Sequence, residues 1–259
     1  MCELTTMNRD RLATYWRLRE ILAPAIRYSQ SEYEDALTEL VKEATMWLDL
    51  GGGHAVLPAW RVDRERCLVN RAHTCVVADR DIESLGRHNT IVHRVAADAT
   101  KLPFPDESFC LVTANMVIEH LEEPQSALRE ACRVLRPGGV FLLHTPNAWS
   151  YGTLVARLLP QRARRRLSGI LHGRAPDDVY PAVYRANTIP AIRLAATTVG
   201  MNVVWIHPVL SDAICAIAFP IAVLELLWLR VLGLPRLAAL RPYLIGLLQK
   251  PPPPDRVAS

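Results

Sequence analysis

Asp49 stands two residues ahead of Gly51, Gly52 and Gly53 in the stretch WLDLGGGH, and a carboxylate beside a glycine turn narrows the choice of ligand. Glycines lack a Cβ, so their backbone can come close to a bound molecule. The spacing departs from that of a dinucleotide site, because GGGHAV sets Val56 where G-x-G-x-x-G needs its third glycine. A pyrophosphate beside the Asp49 carboxylate would also meet a like charge. A ligand with positive charge near its ribose reverses that sign. Three more polar residues close apolar runs in the same way: Asp79 after TCVVA, Asp98 after IVHRVAA and Asn115 after SFCLVTA. Ligands of open α/β sheets gather at the carboxyl ends of strands, so these four residues form one constellation.

S-adenosylmethionine, with an ammonium and a sulfonium near its ribose, meets these requirements. Asp79 is placed to accept hydrogen bonds from both ribose hydroxyls. Asp98 could accept from the adenine amino group. Simpler roles stand beside these: a helix cap for Asp49, a turn residue at Asp79 and an Asx turn in ADAT at Asp98.

The elements that must position these residues are the runs MWLDL, TCVVAD, IVHRVAAD, SFCLVTAN and GVFLLHTPN, separated by helical or turn-rich segments. Such alternation predicts an α/β fold with a parallel sheet and crossover helices. Strands apolar nearly throughout predict a sheet covered on both faces. Residues 1–43 read as a helical cover, in which Ser31 and Glu34 offer a capping-box start for a second helix. The core is expected over 44–210, with a basic, Pro- and Gly-punctuated insertion at about 148–187. A helix from Ile189 to Val199 should close at Gly200, and VVWIHPV should follow as a strand. Residues 211–250 read as an apolar lobe, and 251–259 as a disordered tail after PPPP.

WLDLGGGH, VVADRDIESL, AADATKLPFPDESF and REACRVLRPGGVFLLHTPN together resemble the class I methyltransferases that use S-adenosylmethionine, in particular the small-molecule subgroup of methyltransferase type 11. The likeness covers about residues 44–147. It implies a Rossmann-like, seven-stranded, mostly parallel sheet with flanking helices. The same architecture makes PYLIGLLQK a final antiparallel strand, as an alternative to helix. Cofactor positions implied are Asp49, Gly51, Gly53, Asp79, Asp98 and Asn115, and the candidate set extends to their neighbours Gly52, Arg80, Ala99 and Met116. Two departures are Ala55 where a glycine is usual and Cys110 where an Asp is usual. YWRLR and DVYPAVYRANT also look like a subgroup connected with glycan or cell-envelope biosynthesis.

Transfer of a methyl group to a hydroxyl needs a base, and His120 in VIEHL is the candidate, because this loop faces the methyl in the resembled fold and imidazole titrates near neutrality. The bland alternative is a helix-start histidine beside Glu119 that bonds backbone. His144 and Asn147 near the end of LLHTPN are candidates for the acceptor pocket, or for a structural turn. Tyr184 and Arg185, with Asp177, Asp178, Tyr180 and Asn187, would form a polar lid or an ordinary loop. Tyr15, Trp16 and Arg17 either cover the cofactor or pack an amphipathic helix. RARRR, with Arg157 and Arg174, reads as a phosphate-binding patch or a solvated helix face.

The balance of the chain excludes several classes. Thirty basic residues against 26 acidic ones leave a net charge of +4, and no nucleic-acid footprint follows. The eight histidines show no HxxxH or Cys-paired spacing, so no metal site is expected. Six cysteines without a CxxC pair, and a polar N-terminus, lead us to expect a cytoplasmic protein. Residues 213–248 are strongly apolar and from Leu229 on interleave arginines with leucines, which suits either contact with the inner face of a membrane or a homodimer face. The expected activity is methyl transfer to a small-molecule, glycan or lipid-linked hydroxyl, with a quinone-type carbon acceptor or a silent cofactor-binding scaffold as alternatives.

Overall fold

The computed structural model describes residues 9–158, 182–213 and 219–252. In chain order its elements are α1 (Arg9–Leu22), α2 (Ser29–Leu40), β1 (Met46–Leu50), α3 (Val62–Arg71), β2 (Thr74–Asp79), α4 (Ile82–Gly86), β3 (His93–Ala96), β4 (Phe109–Asn115), α5 (Pro124–Val134), β5 (Leu135–Pro146), α6 (Tyr151–Leu158), α7 (Ile189–Thr198), β6 (Asn202–Val209), α8 (Phe219–Leu232) and β7 (Tyr243–Gln249). Their contacts divide the chain into two units, Met1–Glu32 with Pro146–Ala182 and Pro208–Tyr243, and Tyr33–Thr145 with Val183–His207 and Leu244–Ser259. Among the described residues the first unit combines α1, α6 and α8.

The second unit is built on a seven-stranded sheet of order β3-β2-β1-β4-β5-β7-β6. β1 pairs in parallel with β2 and with β4, and β3 and β5 extend the parallel region outward. Chain order runs from β1 towards β3 on one side and resumes at β4 on the other, so the boundary between β1 and β4 is the topological switch point. β7 runs against β5: Gly138 N–H donates to Lys250 O and Lys250 N–H to Gly139 O at one end, and Asn147 N–H to Pro242 O at the other. PYLIGLLQK is therefore the antiparallel strand of the two options. β3 covers only part of IVHRVAAD, and β5 begins four residues ahead of GVFLLHTPN.

Both faces of the central strands β1 and β4 and of the later part of β5 are buried, while β3 and β6 at the sheet edges are more exposed. Leu48, Val112, Phe141 and Leu143 pack with Leu128, Ala131 and Val134 of α5 and with Ile192 and Ala196 of α7. α5 offers this stripe because Ala127, Leu128, Ala131 and Val134 recur at helical spacing. Thr188 caps α7 by accepting from Ala191 N–H, worth about 1 kcal/mol, and Gly200 follows at φ +81° as the sequence predicts.

One arginine explains two of the motifs that carry the family resemblance. Arg133, in RVLRPGG, donates to Leu102 O at 2.9 Å and Phe104 O at 2.8 Å, and pairs with Asp106 and Glu130. Glu130 in turn accepts from Leu102 N–H at 2.8 Å. The LPFPDESF loop is thus strapped to α5 by charge-assisted bonds.

The first unit has its own apolar core, in which Tyr15, Ala23 and Ile26 pack with Ala213 and with Ala222, Leu226, Leu229 and Leu232 of α8. Polar pairs flank this core: the Tyr151 hydroxyl donates to Glu225, Arg19 pairs with Asp212, and Ser29 bonds Ser211.

Candidate functional site

β1 ends in the glycine turn, and the turn's shape depends on what lies beneath it. Asp49 is 1% exposed, with its Oδ1 accepting from the Thr113 hydroxyl of β4, which itself accepts from Trp47 Nε1 at 2.7 Å. A Cβ at Gly52 would stand 2.3 Å from Asp49 Oδ2 and 2.6 Å from Val77. Gly51 has φ +70°, and a Cβ there would lie 2.5 Å from Val117, just past β4. The backbone therefore passes directly over a carboxylate and against the neighbouring strand end, which only glycine permits. Burial pushes the Asp49 carboxyl well above its ordinary value, with Thr113 pulling it down and Glu65 and Asp79 pushing it up.

Asp79 closes β2 and faces the same turn. Its Oδ2 accepts from Gly53 N–H at 2.9 Å, and its Oδ1 from Asp81 N–H at 2.8 Å. Asp98 lies two residues past β3, where Oδ1 accepts from the Thr100 amide at 2.9 Å and hydroxyl at 2.8 Å. The Asx turn read from ADAT is present. Oδ2 instead faces Arg80 Nε at 3.7 Å, so the turn leaves one oxygen of Asp98 on the side of Arg80. The Thr100 amide holds the Asp98 carboxyl below its ordinary value, aided by the Thr100 hydroxyl and Arg80. Ala99, between them, packs partly buried against the core.

Asn115 closes β4, in register with His144 of β5. Its Oδ1 lies 2.8 Å from His144 Nδ1, and its Nδ2 reaches Val56 O at 3.4 Å, which ties the tip of β4 to the loop after the glycines. Met116 then takes φ +60°, rare for a side chain of its size, held by its N–H on His144 O at 2.8 Å. His144 is 2% exposed and stacks on Tyr33 at 5.5 Å. Burial lowers its pKa to about 3, so it is a neutral orienting group beneath Asn115.

His120 ends the 3-10 turn Ile118–His120 and keeps 29% of its side chain exposed. Its Nε2 lies 3.9 Å from Oε1 of Glu119, which is buried and accepts at Oε2 from the Thr145 hydroxyl at 2.9 Å. Thr145 accepts from Asn187 Nδ2 at 2.6 Å. Glu119 O accepts from Val183 N–H at 2.7 Å and from Tyr184 N–H at 3.1 Å, with Tyr184 at φ +53°. The segment with Tyr184 and Arg185 is thereby fastened to the turn that bears His120, and the Arg185 side chain is exposed.

Other expectations end differently. Asn147 is 1% exposed, and its amide donates to Ala239 O and Arg241 O while its oxygen accepts from Trp149 N–H, the bonding of a structural turn. Tyr15 is a core residue of the first unit, its hydroxyl accepting from Ala213 N–H at 3.3 Å, so packing and not cofactor cover is its role. RARRR, Arg174, Asp177, Asp178 and Tyr180 lie outside the described residues. Thr113, Trp47 and Tyr33 also belong to this arrangement, and of these only Thr113, the single hydroxyl inside FCLVTAN, is signalled by the sequence.

Residues 48–143 match the family described as "Methyltransferase domain". A demethylmenaquinone methyltransferase of Mycobacterium tuberculosis is 37% identical over 125 residues, 45% of this chain and 50% of that protein. Another, from Mycobacterium sp. strain KMS, is 38% identical over 126 residues with the same shares. The chain thus spans about half the length of the curated relatives it matches. Among solved structures, geranyl diphosphate C-methyltransferase from Streptomyces coelicolor superposes with a TM-score of 0.54 at 10% identity, over 85% of this chain and 77% of that one. A chain of the Haloferax volcanii complex with the Trm112 methyltransferase activator superposes with a TM-score of 0.54 at 19% identity, over 84% and 88%. At such identities the likeness is one of fold. Family match, strand order and the glycine turn agree: residues 48–143 are similar to a methyltransferase domain, set in a sheet of the same fold as these solved structures.

Proposed function

We propose that the chain moves a methyl group from S-adenosylmethionine to a small-molecule, glycan or lipid-linked acceptor. The reading rests above all on the Gly51–Gly53 turn strung between two carboxylates, Asp49 beneath it and Asp79 bonded to its last amide. These residues fit the cofactor. The space a Cβ would fill at Gly51 and Gly52 is already taken by Val117 and Asp49, so the backbone itself lines the cradle. A buried carboxyl whose ionised form is disfavoured gains from a cation nearby.

The chain's residues divide the work by position. Asp79 would hold the ribose hydroxyls and the loop Asp98–Ala99 the adenine, with Arg80 at its edge. Asp49 would act on the ammonium by its field through the turn, since the carboxylate itself is buried. Asn115 and Met116 would line the sulfur side, oriented by His144. When bound, the cofactor supplies an electrophilic methyl whose departure leaves a neutral thioether. His120 would take the proton of an acceptor hydroxyl, with Glu119 beside it favouring the imidazolium that results.

A carbon acceptor of quinone type is the second reading, favoured by curated relatives named for demethylmenaquinone. It makes less demand on a base. Calorimetry with S-adenosylmethionine and with NAD tests the cofactor assignment, which uptake of NAD alone would overturn. Labelled cofactor offered with sugars, quinones and lipid extracts then separates the acceptors. With a hydroxyl acceptor, His120→Gln should lower kcat about 100-fold and leave cofactor affinity unchanged; with a ring carbon, the loss should be much smaller.

A further inference from the structure

Helix α8, FPIAVLELLWLRVL, is apolar on two opposite sides. Ala222, Leu226, Leu229 and Leu232 are at most 1% exposed and form the core of their unit with Tyr15, Ala23 and Ile26. On the other side Ile221, Leu224, Leu227, Trp228 and Val231 stand 40 to 67% exposed. At the helical turn angle these five side chains fall within an arc of about 120° that extends for about 15 Å along the axis. The outer arc of a surface helix is ordinarily polar, and an apolar stripe of this extent marks a contact surface. Leu234 and Leu240, 56% and 37% exposed, continue it past the helix end.

The charges around the stripe identify what covers it. From residue 219 to residue 241 the charged residues are Glu225, Arg230, Arg236 and Arg241. Glu225 is 7% exposed and receives the Tyr151 hydroxyl, so the accessible charge here is positive alone. A symmetric contact between two copies would bring these arginines towards their equivalents, with no accessible acid in the segment to pair with them. A bilayer with anionic headgroups suits both features. Its acyl boundary takes the aliphatic side chains, its interface suits an indole, and its phosphates pair with guanidinium groups. Among the described residues no helix is long and apolar enough to cross a membrane, which leaves α8 to lie along the surface.

We propose that the outer face of α8, with the turn Pro235–Leu240 that follows it, seats the protein on the surface of an anionic lipid bilayer. The inference goes beyond the proposed reaction and stands independently of it.

Flotation of the full chain with vesicles of phosphatidylcholine alone, or mixed with phosphatidylglycerol, provides the test. The protein should rise with the anionic vesicles and stay largely behind with the neutral ones, and high salt should reduce binding. Leu224→Gln with Trp228→Gln should weaken partition about ten-fold or more, while Arg230→Gln with Arg236→Gln should abolish the preference for phosphatidylglycerol. Thermal melting and cofactor calorimetry on each variant establish that the fold is kept. Should the apolar pair unfold the chain, the arginine pair, both on exposed positions, carries the test alone. Two results overturn the proposal: wild-type protein that rises with neither vesicle, or a solution dimer that the Leu224/Trp228 variant splits while vesicles are ignored.

Discussion

Gly53 N–H donates to Oδ2 of Asp79 at 2.9 Å, joining two residues 26 positions apart at the ends of neighbouring strands. The same carboxylate that would hold a ribose also fixes the last residue of the glycine turn. Asp79→Ala should therefore weaken S-adenosylmethionine binding by about 10- to 100-fold, the range for losing one or two charged hydrogen bonds. Calorimetry checks this, and an unchanged affinity would remove Asp79 from the site.

Two glycines to alanine make a paired comparison. At Gly52 the new methyl would meet Asp49 Oδ2 at 2.3 Å and Val77 at 2.6 Å, whereas at Gly86, the last residue of α4, nothing stands within 4 Å. Gly52→Ala should cost about 1–3 kcal/mol of stability by overpacking. Gly86→Ala should be neutral or stabilise by up to about 1 kcal/mol. Urea unfolding of the two variants would expose any error in the turn geometry as equal midpoints.

Asp49 should make cofactor binding a proton-linked event. Its carboxyl is pushed well above the ordinary range by burial, and a cation nearby favours the ionised form. Binding should release a proton, so affinity rises with pH until the free protein's Asp49 is itself ionised, and then levels. Calorimetry in buffers of different ionisation heat reads the proton directly, and Asp49→Asn should abolish its release.

Stability should fall in acid partly through His144. Burial lowers its pKa from 6.5 to about 3, so the unfolded chain takes up a proton that the folded chain refuses. The contribution is complete above pH 6.5 and is lost as pH falls towards 3, at up to about 1.4 kcal/mol per pH unit. His88, lowered to about 4 mainly by burial, acts in the same direction. His144→Gln, which keeps a donor for Asn115, should be less stable at neutral pH and yet flatter across this window. A curve as steep as the parent's would assign the acid lability elsewhere.

The strands and their polar ends were legible because two signals coincide there, an apolar run and an abrupt carboxylate or amide. Asp49, Asp79 and Asn115 were found this way. Asp98 was legible only as a choice between a ligand contact and an Asx turn; one oxygen makes the turn, and the other faces Arg80. Asn147 was ambiguous because a polar residue after a strand looks the same whether it faces a ligand or caps a chain crossing. Tyr33 gave no sign, since an aromatic on an amphipathic helix is ordinary packing until the fold brings His144 against it. The first unit was illegible as one body because its pieces lie far apart along the chain, and periodicity reports only on near neighbours.

The anchoring of Val183 and Tyr184 on Glu119 O, with Thr145 and Asn187 completing the link, bears on how such proteins could be re-engineered. A chimera that borrows a relative's 183–187 stretch to accept a new substrate would inherit ends cut for another socket. Grafting should succeed only when Glu119, Thr145 and Asn187 travel together as one cassette.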